Sequence, residues 1–176
     1  MGLGAIGKIV AERLKELDVE VYACDPFVPK ETADELCVTL VDMETLFSEC
    51  DIISNHLANK PELENIFNYK LFKKMKKRST FINTGRGAQV AEYSLALSLL
   101  LHPSRTFVGD VIKHELFPYI NPLFWVPNAI LTPHIAGSTG NEPQRMAYYM
   151  MEEMVSFLSG APTRYEVTLK ALERMA

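Results

Sequence analysis

MGLGAIGKIVAERLKEL, residues 1–17, is the stretch that decides the fold. Gly2, Gly4 and Gly7 have the spacing G-x-G-x-x-G, the strand-to-helix turn that cradles a dinucleotide pyrophosphate. Ala5 and Ile6, inside the turn, join the glycines as candidate cofactor-binding positions. Such a turn also occurs in ordinary loops, so its context has to carry it. The glycines lead straight into a helical pattern, with Ile6, Ile9, Val10, Leu14 and Leu17 on one face. Free N–H groups and the positive end of the helix dipole then point at the phosphates.

Outward from that turn, apolar segments alternate between two periods. Strands are expected over 19–24, 37–40, 51–56, 80–83, 106–111 and 129–131, and helices over 42–48, 69–77, 91–101 and 142–158. Asp42 is the expected cap of the helix that follows it. The isoleucines of Asp51-Ile52-Ile53-Ser54-Asn55-His56 suit a sheet buried on both faces. Strands alternating with helices imply βαβ units: an α/β fold with a doubly wound parallel sheet, its ligand outside the carboxyl ends of the strands.

Asp25 ends the strand after the glycine turn, 18 residues past Gly7. That is close to the spacing of about 20 expected of the carboxylate that binds the adenosine ribose. A carboxylate there repels a 2′-phosphate, and no Lys or Arg follows until Lys30, which favours NAD over NADP. The competing reading of Asp25 is a turn residue before Pro26.

Composition narrows the class. With 176 residues, 48% of them hydrophobic and 23% charged, the chain suits a globular domain with a sizeable core. A net charge of −4 points to neither nucleic acid nor a membrane surface. The basic run Lys70–Arg78 reads as the solvated face of a helix. No apolar run reaches the roughly 18 residues that span a bilayer, and no secretory leader is visible. Cys24, Cys37 and Cys50 lack metal or redox spacing and read as reduced thiols of a cytoplasmic protein.

Polar groups gather after three strands. In Ile82-Asn83-Thr84-Gly85-Arg86-Gly87, an arginine between two glycines has a flexible backbone, and its planar fork suits a carboxylate. Asp110 and Glu115 lie in Gly109–Glu115, and His134 in Leu131–Thr139. His134 can act as acid or base near neutral pH. It works best if a carboxylate stabilises its protonated form, as Glu115 could. Taken singly, each has a plainer reading: a surface arginine, a solvated carboxylate, a structural histidine. His56, at a strand end, lines the expected cofactor site. His102 reads as exposed at a helix end and His114 as part of a polar loop, and no pair has metal-ligand spacing with further ligands nearby, so no metal is expected.

Together and in order, GLGAIG, Asp25, DIISNHLANKPEL, STFINTGRGA, DVIKHE and TPHIAGST resemble the D-isomer-specific 2-hydroxyacid dehydrogenases over the whole chain. The resemblance implies that Arg86 binds the substrate carboxylate, that His134 exchanges a proton with the keto oxygen, and that Glu115 pairs with His134. It implies NAD as the source of hydride, with Thr84, Gly85, Asp110 and Gly137 lining the nicotinamide half. It implies a small 2-hydroxy or 2-keto acid as substrate and a homodimer formed through the cofactor domain; the aromatic-rich segment Leu116–Val126 is either that interface or a loop packed on its own domain. Ala58, Lys60 and Leu116 depart from the family's usual residues and affect loop geometry rather than chemistry.

Family members carry a substrate domain and a first Rossmann strand before this point. The expectation is therefore a truncated member of a two-domain fold: residues 1–140 an NAD-binding domain lacking its first strand, residues 141–176 a helix and tail that pack partly on the absent domain. Residues are expected before Met1 in the physical protein, and no dehydrogenase activity from residues 1–176 alone. The alternatives are a non-catalytic NAD-binding module of corepressor type and an inactive remnant.

Overall fold

The computed structural model describes residues 1–172. It forms two compact units, the first Met1–Pro133, the second beginning at His134. In the first, α1 (Ala5–Leu14), β1 (Tyr22–Ala23), α2 (Lys30–Glu35), β2 (Thr39–Leu40), α3 (Met43–Glu49) and β3 (Ile52–Asn55) are followed by α4 (Tyr69–Phe72), β4 (Thr80–Asn83), α5 (Glu92–Leu101), β5 (Thr106–Gly109) and β6 (Ala129–Leu131). The second carries α6 (Glu142–Leu158) and α7 (Leu169–Leu172). The fold is α/β, and its named strand pairings are parallel.

The strands make two sheets, β1-β2 and β3-β4-β5-β6. In the larger, Asn55 lies beside Asn83 and Asn83 beside Gly109, so strand ends align at one edge. Its core is a cluster of five sealed phenylalanines, Phe47, Phe67, Phe72, Phe81 and Phe107. Phe81 meets each of the other four at centroid separations of 5.3 to 5.9 Å, within the range where aromatic pairs add to simple burial.

Between the sheets runs a groove of about 670 Å³ lined by Val10, Leu14, Val21, Cys50 and Ile52 among others. Its carboxyl-terminal end is closed by Met1 and Gly2. Met1 N donates to Ser54 O at 2.8 Å, His56 N to Met1 O at 2.8 Å, and Gly2 N to Cys24 O at 3.1 Å. These bonds have the alternation of a parallel ladder. Val21 and Ala23 turn their carbonyls to β2, so Tyr22 and Cys24 face the groove.

Several local expectations change. Ile53 is sealed, but Ile52 is 66% exposed: it points to the opposite face of β3, along the groove rather than into a core. The helix α1 docks through Gly7 and Ala11, while Ile6 and Ile9 stay exposed, because only small residues let it lie against the glycine turn. Cys37 has φ 55°, a left-handed conformation that ends the α2 segment and delays β2 to Thr39. The helix after Asn68 lasts four residues, not nine. The strand expected over 106–111 stops at Gly109. Asp42 does cap α3, its carboxylate accepting from Thr45 N at 2.7 Å.

Candidate functional site

The three glycines have three different surroundings. Gly2 has φ 78°, and a Cβ there would lie 2.6 Å from His56 O. A Cβ on Gly7 would run into Gly2 O. A Cβ on Gly4 would meet nothing within 4 Å. These are the demands of a dinucleotide turn: a tight turn first, open backbone for the pyrophosphate second, close helix packing third. Gly4 is also the N-cap of α1, with no side-chain cap and no acidic residue in the first turn, so the N–H groups and positive dipole of Ala5 and Ile6 are left for an anion. The residues fit a dinucleotide.

Asp25 is drawn to the same turn. Its Oδ2 accepts from Leu3 N at 2.8 Å and its Oδ1 from Phe27 N at 2.9 Å. These bonds fix the carboxylate, and each oxygen keeps a further lone pair for a hydroxyl. His56, half-buried, meets Ser54 Oγ through Nε2 at 3.0 Å. Burial is the chief cause that lowers its pKa to about 4, so it is neutral at pH 7. Gly2, Asp25 and His56 are thus brought together at the ends of β1 and β3.

A second group follows β4 and β5. Thr84 and Arg86 are exposed, and Arg86 Nη1 donates to Gly85 O at 2.8 Å. The flanking glycines tighten this loop, contrary to the expected flexibility. A Cβ on Gly85 would lie 2.6 Å from Asn55 Nδ2, and one on Gly87 would collide with the Ile112 backbone. Arg86 is thereby held beside the loop that leads to Glu115. Asp110 is buried; its N donates to Asn83 O and its Oδ1 accepts from Thr132 Oγ1. Glu115 is exposed. His134 opens the second unit with φ 54°, and Gly137, further along, has open space about it.

Five residues that hold these loops are not singled out by the sequence: Asn55, Asn65, Gln89, Glu92 and Lys113. Asn55, Gln89 and Glu92 are buried, and Glu92 Oε1 accepts from Lys113 N at 2.8 Å, steadying the run toward Glu115. Lys113 Nζ donates to Asn65 Oδ1 at 2.8 Å. A polar residue ends the apolar strand Ile52–Asn55, but nothing local marks Asn55, Gln89 or Glu92 as buried.

Residues 1–136 match the family model described as D-isomer specific 2-hydroxyacid dehydrogenase, NAD binding domain. D-3-phosphoglycerate dehydrogenase of Archaeoglobus fulgidus is 35% identical over 98% of this chain and 33% of its own length. Glycerate dehydrogenase of Methylorubrum extorquens is 33% identical over 92% of this chain and 50% of its own. The NAD-complexed crystal structure of D-isomer specific 2-hydroxyacid dehydrogenase from Lactobacillus delbrueckii ssp. bulgaricus superposes with a TM-score of 0.81 at 28% identity, covering 93% of this chain and 53% of that one. The chain spans a third to a half of the length of these relatives. With a dinucleotide turn whose glycines each meet their steric demand and a family model matched across that turn, the chain belongs to the D-isomer-specific 2-hydroxyacid dehydrogenases, and its cofactor is NAD.

Proposed function

We propose that this chain is the cofactor-binding part of an NAD-dependent oxidoreductase that interconverts D-2-hydroxy acids and 2-keto acids of the glyoxylate, hydroxypyruvate or phosphoglycerate type. The observation that carries the reading is the division among the glycines: Gly2 and Gly7 tolerate no Cβ, whereas Gly4 faces open space. Arg86 takes the substrate carboxylate in two hydrogen bonds. His134 gives its proton to the keto oxygen as charge develops there, and recovers it in the reverse direction. Glu115 stabilises the imidazolium. Asp25 holds the adenosine ribose; Thr84, Gly85, Asp110 and Gly137 line the nicotinamide half. Bound NADH supplies the hydride.

The test follows NADH oxidation with glyoxylate, hydroxypyruvate and pyruvate, by this chain and by a protein that joins it to the further length its relatives have. The reading expects turnover from the joined protein with at least one of these acids and none from the chain alone. No turnover by the joined protein with any 2-keto acid rejects it.

The groove between β1 and β3 is assigned, on this reading, to one further parallel strand continuous with Met1, making the order of a Rossmann sheet. An apolar extension of about five residues at Met1 should raise the melting temperature by several degrees, as paired backbone and covered apolar surface are gained. An unchanged melting temperature counts against the strand.

Self-association belongs to the same proposal. Leu116, Phe117, Tyr119, Ile120, Phe124 and Trp125 are each at least half exposed, an apolar cluster of the kind found at interfaces. Light scattering should give a dimer that Trp125→Glu weakens. A strict monomer over a wide concentration range contradicts the interface.

A further inference from the structure

At the carboxyl ends of β3 and β4 lie three amide side chains with almost no exposure: Asn55 0%, Asn83 0% and Gln89 1%. We infer that they form a buried clamp that positions Arg86, with Asn55 and Gln89 acting as positioning residues for its contact with the substrate. The inference rests on the proposed role of Arg86.

The bonding is directional and nearly closed. Asn55 Nδ2 donates to Asn83 Oδ1 at 2.8 Å and to Gln89 Oε1 at 2.7 Å. Asn55 Oδ1 accepts from Leu57 N at 3.0 Å. Asn83 Oδ1 also accepts from Gly85 N at 3.1 Å, and Asn83 Nδ2 donates to Arg86 O at 3.2 Å. Gln89 Nε2 donates to Ala58 O at 2.7 Å. The Thr84–Gly85 peptide, through Gly85 N, and the Arg86–Gly87 peptide, through Arg86 O, are thus both held, the latter also by Gln89 N. Two of the three, Asn55 and Gln89, also reach across to Leu57 and Ala58, in the loop that follows His56.

Burying three amides is costly unless every donor and acceptor is matched. An apolar trio would fill the space without that cost, but it could not select one orientation of the Gly85 and Arg86 peptides. Gly85 leaves room for this arrangement, since a Cβ there would meet Asn55 Nδ2. Arg86 itself is exposed and extended, with φ −141° and ψ 139°. Its guanidinium, exposed and spending one N–H of Nη1 on Gly85 O, keeps further donors for an anion while its backbone is fixed.

The test compares the unaltered chain with Gln89→Met, Asn55→Leu and the double variant. Under native conditions trypsin cuts after Arg86 only when the loop opens. Cleavage of the Arg86–Gly87 bond should be at least about tenfold faster in the double variant, while cleavage after exposed Arg164 is unchanged. In the joined protein of the preceding section, Gln89→Met should raise KM for the keto acid with a smaller change in kcat and no change in NADH affinity. Unchanged cleavage at Arg86 overturns the clamp. Faster cleavage with an unaltered KM overturns its purpose. If the joined protein shows no turnover at all, the dehydrogenase reading falls, yet the cleavage rates still decide the clamp. If Asn55→Leu does not fold, amide exchange at Gly85 in the unaltered chain decides it: strong protection supports the clamp and free exchange rejects it.

Discussion

Gly7→Ala weakens NADH binding by about two orders of magnitude and lowers the melting temperature, whereas Gly4→Ala weakens binding but leaves the melting temperature in place. The contrast follows from the surroundings of the two positions. A Cβ on Gly7 meets the carbonyl of Gly2, a backbone atom that cannot rotate aside. Either α1 moves away or the turn opens, and both displace the N–H groups at the start of α1. Hydrogen bonds to charged groups contribute roughly 1.5–3 kcal/mol each, and each 1.4 kcal/mol is about tenfold in affinity, so losing one or two gives the stated effect. Gly4 has φ −68° and open space around it, so alanine fits the free chain. It obstructs only what approaches from outside, and a loss of about tenfold is expected if that is the pyrophosphate. Fluorescence titration with NADH and a thermal melt of each variant provide the check. Wild-type affinity in both variants removes the turn from the cofactor site.

The second large effect is on chemistry. In an active protein that joins this chain to a substrate domain, His134→Ala should lower turnover by about 10²–10⁴-fold, the range for loss of a positioned acid. NADH affinity should change little, because proton transfer to the keto oxygen belongs to the transition state. Glu115→Gln should lower turnover less and shift its pH dependence, since an amide stabilises imidazolium more weakly than a carboxylate does. Steady-state rates across pH, with NADH affinity measured separately, make the comparison. Undiminished turnover in His134→Ala rejects its role.

How far the fold was legible depended on where the determining contacts lay. The strands Thr80–Asn83 and Ala129–Leu131 and the helix Glu142–Leu158 appear with the expected bounds. Each carries a clear apolar period and its own stop residues, so local sequence suffices. The helix Lys30–Glu35 was overlooked because KETADE has almost no apolar face; its buried residue is Ala33. The helix α4 was drawn too long because charge hid the turn at Met75. There buried Arg105 donates to the carbonyls of Phe72, Lys73, Met75 and Lys76, and no local pattern announces a partner thirty residues away.

The candidate site divides in the same way. Gly2, Asp25 and His56 were readable because a strand end and a glycine spacing place them. Asn55 and Gln89 were not, because an isolated amide gives no sign of being buried until its partners on other elements are known. The glycines beside Arg86 were visible but misread: their small size serves close packing against Asn55 and Ile112, not freedom of the loop.

The central claim is that Asp25 and the glycine turn form an NAD site, and paired titrations of the unaltered protein with NADH and NADPH test it most directly. The Asp25 carboxylate, held by Leu3 N and Phe27 N, should accept the adenosine ribose hydroxyls and repel a 2′-phosphate. NADH should bind at least about tenfold more tightly, the effect of roughly 1.4 kcal/mol, and Asp25→Ser should narrow the gap. Equal affinity for the two cofactors in the unaltered protein would contradict the assignment.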